Sequence, residues 1–258
     1  PCAFVLLLDH SGSMSESIID NRGDPKVKAP EVAKIVNQFI EEIILTCQRT
    51  DIIKDYFEIL ILSYGKRDKN KNSIVKIAWE GLLSGKTWVT VNELRNSSLR
   101  KEIIEVENPK PFGPRILKEE RNVWIESYAE GLTPMRKAFD VCSEYLEEWV
   151  SKHPNSFPPM VFNITDGAIS DIKNYSELID TANRLKSIAT TDGNVLLFNL
   201  LLVDNTVTRR EFPSIADRQL FEENEYESAL FDVSSFIPVN LKKELPKTRD
   251  NPDEIKAL

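Results

Sequence analysis

Histidine, cysteine and basic charge are all in short supply in this sequence, and each shortage removes a class of function. There are two histidines in 258 residues, His10 and His153. They make no zinc pattern and leave little scope for histidine-based catalysis. The three cysteines, Cys2, Cys47 and Cys142, form no ladder of spacings. An odd, sparse set fits reduced thiols rather than a disulfide framework. Lys and Arg number 33 against 41 Asp and Glu, a net charge of −8. That balance argues against nucleic acid as a partner and against electrostatic docking on an anionic membrane. No apolar run approaches the ~18 residues that cross a bilayer. The longest, Val195 to Val203, is interrupted by Asn199. The first residues carry neither a basic region nor a small-residue cleavage site, so a cytoplasmic protein is expected.

What is present is ordinary for a folded chain: 41% hydrophobic and 29% charged residues. A chain of this length buries a full core without disulfides or metal staples. Ala3 to Leu8 is apolar throughout and ends at Asp9, the pattern of a central parallel strand covered on both faces. Val32, Ile35, Val36, Phe39, Ile40, Ile43, Ile44 and Cys47 recur at helical spacing, with Pro30 suited to the first helical position. Tyr56 to Tyr64 reads as a second buried strand, and Ile74 to Trp79 as an edge strand. A helix follows Thr133-Pro134, with Met135, Ala138, Phe139, Cys142, Tyr145, Leu146 and Trp149 on its apolar face. Met160 to Thr165 is a strand ending at Asp166. Asn174 with Glu177 marks another helix start. Val195 to Val203 and Leu230 to Val233 read as further strands. The alternation predicts an α/β fold, doubly wound, with a mostly parallel central sheet and helices on both faces. We expect one domain over residues 1–240, with an insertion at about 81–125 of short strands or a hairpin, and a peripheral tail over 241–258.

In such folds the ligand site lies at the carboxyl ends of the strands. Three segments fall there: Asp9-His10-Ser11-Gly12-Ser13, Gly131-Leu132-Thr133-Pro134 and Ile164-Thr165-Asp166-Gly167. Together they offer two carboxylates and three hydroxyls. These are hard oxygen donors suited to Mg²⁺, with Mn²⁺ or Ca²⁺ as alternatives. Gly12 would let the loop bend so that Ser11 and Ser13 both turn inward. Few charged ligands would leave the ion electrophilic, ready for an outside carboxylate.

Asp9-x-Ser11-x-Ser13, then Thr133, then Asp166, resembles the metal-ion-dependent adhesion site of von Willebrand factor A (VWA) domains. The resemblance covers the chain from Ala3 to about Val233. It implies a Rossmann-like doubly wound fold in which Ser11, Ser13 and Thr133 bind the ion directly, and Asp9 and Asp166 bind directly or through water. It also implies that the site recruits an Asp or Glu of a partner protein and performs no catalysis. Gly131 to Met135, Phe157-Pro158-Pro159 with Ile164 to Gly167, and Leu230 to Ser235 resemble bacterial cytoplasmic VWA proteins of the tellurium-resistance-associated type. Those are encoded beside protein kinases and PP2C-type phosphatases, which the resemblance offers as partners in a stress-response or defence system. Oligomeric state is not legible.

Blander explanations compete at each position. Ser, Thr and Asp are common in caps and turns, and Thr133 before Pro134 would serve as an N-cap in any case. His10 reads as a loop residue beside the site, lacking an orienting partner, and His153 as a helix C-terminal residue. Arg22-Gly23-Asp24 needs nothing beyond turn chemistry. Cys47 and Cys142 lie on apolar helix faces and read as core. Two other classes stay open. A metal-dependent hydrolase of the haloacid-dehalogenase kind would need an acid where Ser11 stands. A serine hydrolase would need Gly where Asp9 stands, two before Ser11. A structural domain with a vestigial metal site would keep the motif only for caps and turns.

Overall fold

The computed structural model describes residues 1–20, 22–49, 52–107, 115–167, 169–203, 211–242 and 255–258. β1 (Cys2–Asp9) is the middle of the sheet. Side chains alternate between the faces of a strand. Ala3, Val5 and Leu7 therefore enter one apolar cluster, and Leu6 and Leu8 the opposite one. A strand apolar on both sides needs cover on both, and helices from later in the chain supply it.

A 3-10 turn over Gly12–Ser15 leads towards α1 (Lys28–Cys47). Val32, Val36, Ile40, Ile43, Ile44 and Cys47 form its buried stripe against Leu6 and Leu8. Each such side chain, taken fully out of water, contributes roughly 1.5–3 kcal/mol. The helix begins at Lys28, so Pro30 lies within its first turn rather than at its first position. β2 (Phe57–Arg67) and the antiparallel β3 (Ser73–Ile77) follow. β4 (Val89–Thr90) pairs antiparallel with the start of β2 and runs into α2 (Val91–Arg95), where Thr90 and Glu93 form a capping box. β5 (Arg100–Glu107) and β6 (Ile116–Val123) make an antiparallel ribbon outside the main sheet. Its base is tied to α1 by Asn37, whose Oδ1 accepts from the backbone N–H groups of Trp124 and Ile125 at 2.8 and 3.0 Å. Pro109, Pro111, Gly113 and Pro114 lie outside the described residues.

α3 (Met135–Lys152), β7 (Met160–Thr165), α4 (Tyr175–Ser187), β8 (Leu196–Leu201) and α5 (Glu225–Val233) complete the fold. Asn174 caps α4 by accepting from Glu177 N–H at 3.3 Å, and His153 is the C-cap of α3. The sheet order is β8-β7-β1-β2-β3, with β4 beside β2. β8, β7, β1 and β2 are mutually parallel. The fold is therefore mixed α/β, Rossmann-like, with a mostly parallel sheet flanked by helices. Asp9 lies opposite Tyr64, and Leu8 opposite Ile164, so the carboxyl ends of β1, β2 and β7 meet at one sheet edge.

Two expectations need correction. Leu230 to Val233 is the end of α5, not a strand. Asn224 accepts from Tyr226 and Glu227 N–H, Glu225 and Glu227 stand in the first turn, and Ala229, Leu230 and Val233 face the α3/α4 core at helical spacing. A four-residue stretch with three apolar side chains around Asp232 fits either element, and the cap decides. The end of the tail is not peripheral. Ile255 and Ala257 are buried, and Asn199 N–H donates to Ala257 O at 2.8 Å, so the last residues cover the edge of β8. Residues 243–254 lie outside the described residues.

One polar feature crosses the apolar sheet. Tyr64 Oη donates to Asn163 Oδ1 at 2.8 Å, Asn163 Nδ2 to Asn199 Oδ1 at 2.9 Å, and Asn199 Nδ2 to Ser234 Oγ at 2.9 Å. Ser234 Oγ closes the ladder on Leu230 O at 2.6 Å.

Candidate functional site

The three sequence segments converge at the sheet edge through bonds between them. Gly12 N–H donates to Gly131 O at 3.0 Å, which joins the first to the second. Thr165 Oγ1 donates to Asp9 Oδ2 at 2.7 Å, which joins the third to the first. Thr133 N–H donates to Ser170 Oγ at 2.8 Å and Thr133 O accepts from Ser170 N–H at 3.0 Å, which joins the second to the loop after β7.

Close approach of these loops depends on glycine, but not on Gly12. Gly12 does not adopt a positive φ, and a Cβ there would only touch Gly131 O at 3.4 Å. Gly65 (φ 109°) and Gly131 (φ 69°) require glycine, as does Gly167 (φ 94°) in the third segment. A Cβ on Gly65 would lie 2.7 Å from Ser11 N and 2.9 Å from Leu132 O. A Cβ on Gly131 would run into Gly65 O.

Asp9 is fully buried at the end of β1. Its Oδ1 accepts from Ser11 N–H at 2.8 Å, an Asx turn that shapes the loop. Ser11 and Ser13 hydroxyls lie 3.1 Å apart. Ser11 precedes the 3-10 turn but makes no side-chain cap bond. The expectation that Thr133 caps α3 is not met. Pro134 is the N-cap, and the first-turn N–H groups of Arg136 and Lys137 donate instead to the Asp171 carboxylate at 3.1 and 2.8 Å. Thr133 is buried as a residue, and it gives α3 no side-chain cap bond. Capping therefore accounts for neither Ser11 nor Thr133.

Asp166 has a side chain only 4% exposed. Its Oδ2 accepts from Lys28 Nζ at 3.1 Å, while its buried Oδ1 has no partner. A buried carboxylate oxygen left unpaired is costly. The two carboxylates also sense each other. Burial pushes the Asp9 carboxyl up to about 6, with the Asp166 charge adding to it, while bonds from Ser11 and Thr165 pull the other way. Burial alone would lower the Lys28 ammonium, but its bonds to Asp166 and Glu16 outweigh that and raise it. The Lys28 and Asp166 charges at this edge are thus held by each other.

His10 is buried with its ring 5.4 Å from that of Tyr128, and its Nδ1 has no partner among the described residues. Burial lowers it to about 4, helped by the Lys66 and Lys76 charges. Its backbone, not its ring, serves the site: N–H donates to Tyr64 O and the carbonyl accepts from Glu130 N–H, both at 2.7 Å.

Sequence reasoning missed Thr165 and Lys28 as partners of the two carboxylates. Thr165 could have been found from its place beside Asp166 at a strand end. Nothing in the local sequence marks Lys28, which reaches Asp166 from the first residue of α1. Arg22-Gly23-Asp24 is a turn organised by Asp20, whose Oδ1 accepts from the N–H groups of Arg22 and Asp24.

Among the described residues, no group of three or more His, Cys, Asp and Glu is placed to hold a metal. The edge cluster would have to hold one through hydroxyls as much as carboxylates. It fits a hard cation on two observations: all of its donors are oxygen, and Asp166 Oδ1 is buried without a partner.

No family model matches the chain, and no curated protein matches it. One solved structure similar to it is the crystal structure of an uncharacterized membrane spanning protein from Vibrio fischeri. The two share 10% identity with a TM-score of 0.28, over 78% of this chain and 71% of that one. A likeness that distant carries nothing about function. Among the described residues no helix is long and apolar enough to cross a membrane.

Proposed function

We propose that this chain is a VWA-type interaction module whose sheet-edge cluster holds a divalent cation and captures an acidic side chain of a partner protein. Ser11, Ser13 and Thr133 would hold the ion through hydroxyls, and Asp9 and Asp166 through carboxylates or by way of water. Mg²⁺ is the first choice, with Mn²⁺ or Ca²⁺ as alternatives. Such an ion, when bound, would supply an electrophilic centre that an outside carboxylate can complete.

The observation that carries this reading is the unsatisfied chemistry at the point where three distant loops meet. Asp166 Oδ1 is buried and unpaired, and Thr133, beside it at this edge, gives no side-chain cap bond to α3. Buried polar atoms in native folds mostly have partners, and a cation is one partner that would satisfy the Asp166 oxygen. Ser63 Oγ and Trp79 Nε1 are also buried without one, so the convergence of the oxygen donors is needed beside it. The chain's own residues supply the rest. Thr165 and the Ser11 N–H fix both oxygens of Asp9, and Gly65 and Gly131 allow the loops to close.

The reading is non-catalytic. The His10 ring packs against the Tyr128 ring at 5.4 Å and its Nδ1 has no partner among the described residues, so no nucleophile–base pair involves it, which supports this over a hydrolase. In the same reading, residues about 81–125 are an insertion on the VWA core. The protein works in a bacterial cytoplasm, with a protein kinase or PP2C-type phosphatase of a stress-response or defence system as partner.

The test is binding of an acidic peptide carrying a single glutamate, in Mg²⁺ and in EDTA. We expect binding that needs Mg²⁺ and disappears both in Thr133→Ala and when the glutamate is replaced by glutamine. Binding indifferent to EDTA would refute the reading.

A further inference from the structure

Lys28 is an unusual lysine. Its side chain is 10% exposed, whereas most lysines keep their ammonium in water. Its Nζ lies 3.1 Å from Asp166 Oδ2, 3.2 Å from Glu16 Oε2 and 3.5 Å from Ser13 O. Two of these three acceptors belong to residues of the candidate metal set. Burying an ammonium costs desolvation, which good geometry with carboxylates offsets. Lys28 thus places a full positive charge where the proposed function needs a divalent one.

We infer that Lys28 is the resident counter-cation of the metal-free site: it neutralises Asp166, competes with a divalent ion for that carboxylate, and thereby sets how tightly the ion binds. The inference rests on the sheet-edge cluster being a metal site. The geometry supports competition rather than simple anchoring. Asp166 divides its oxygens, Oδ2 to the ammonium and Oδ1 to no partner. An ammonium and a dication on one carboxylate repel each other, and a dry edge screens that repulsion weakly. Glu16, whose side chain is 67% exposed, already bonds the same ammonium and can retain it when Asp166 turns to a metal. The lysine can therefore give way without being stranded as an unpaired buried charge.

The test is calorimetric titration of Mn²⁺ alone into wild type, Lys28→Met, Lys28→Arg and Asp9→Ala, with thermal melts of each protein in EDTA. Lys28→Met should bind Mn²⁺ about tenfold more tightly than wild type, or better. Lys28→Arg, which keeps the charge, should stay within about threefold. Asp9→Ala should show no binding. In EDTA, Lys28→Met should melt below wild type, because Asp166 loses the cation that faces it, and Mn²⁺ should restore it. Lys28→Met binding Mn²⁺ no more tightly than wild type, while wild type binds, overturns the role of the lysine and leaves the metal site standing. Lys28→Met melting with wild type in EDTA overturns it too. No Mn²⁺ binding in any of the proteins overturns the metal site and the lysine's role together. If Lys28→Met does not fold, Lys28→Gln, which still donates a hydrogen bond, carries the same comparison with the same expected tightening.

Discussion

The ladder from Tyr64 through Asn163 and Asn199 to Ser234 and the cluster of Asp9, Ser11, Ser13, Thr133 and Asp166 are both polar groups buried against one sheet. They differ in how their atoms are satisfied. Among the described residues, none of the ladder's buried side-chain atoms lacks a hydrogen bond, and its end closes on a backbone carbonyl of α5. The cluster leaves Asp166 Oδ1 unpaired, and burial raises the Asp9 carboxyl, with the Asp166 charge a smaller addition. A satisfied network specifies one packing of a core. An unsatisfied one at the carboxyl ends of parallel strands is where a ligand belongs. Burial alone does not separate the two; the count of partners does.

The comparison breaks most visibly if the ladder is cut. Asn199→Leu removes the acceptor of Asn163 Nδ2 and the donor to Ser234 Oγ. It should destabilise the protein by about 3 kcal/mol in chemical denaturation. Mn²⁺ affinity should stay as in wild type, since no cluster residue loses a contact. A change in affinity larger than the change in stability would mean that the two regions are one.

Asp9→Asn should act in the opposite sense. The folded-state value of Asp9, about 6, lies above its ordinary 3.8. Between those values the native state holds a proton that the unfolded chain has lost. Asp9 therefore costs stability as pH rises from about 4 through about 6, and the whole cost remains above that. Without metal, Asp9→Asn should exceed wild type by about 2–3 kcal/mol at pH 7, and by nothing near pH 4. Melts of both proteins in EDTA across that range would check it. A parallel pH dependence for the two would show that Asp9 ionises without strain.

Thr133→Ala should have the smallest effect on stability. Asp171 keeps the start of α3 capped. The change without metal should be about 1 kcal/mol, the loss of a buried methyl group, while stabilisation by Mg²⁺ should fall sharply. A large loss in EDTA would assign Thr133 to the ladder's class, a structural hydroxyl.

The parts of the fold legible in sequence are those where apolar residues leave no choice. β1, β7 and the helices α1, α3 and α4 follow from apolar runs or helical stripes. Leu230 to Val233 was not legible as helix because three apolar residues around Asp232 are too short a stretch to show a period, and its cap, Asn224, lies six residues before it. The burial of Ile255 and Ala257 was hidden by the polar stretch around them. At the edge, the order of Asp9, Ser11, Ser13, Thr133 and Asp166 was legible as a spacing pattern. The contacts that organise it were not. Lys28 and Asp166 are 138 positions apart and Thr165 and Asp9 are 156 apart, so no local pattern links them. Gly65 and Gly131 matter for each other's backbone, which only the fold brings together.

The most direct test of the central claim is a thermal melt of the wild-type chain in EDTA and in millimolar Mg²⁺, beside Asp9→Ala. Binding to the folded state alone raises the melting temperature with ligand concentration. The account predicts a Mg²⁺-dependent rise in wild type and none in Asp9→Ala. A wild-type melt that Mg²⁺ does not move, or an equal rise in Asp9→Ala, would contradict it.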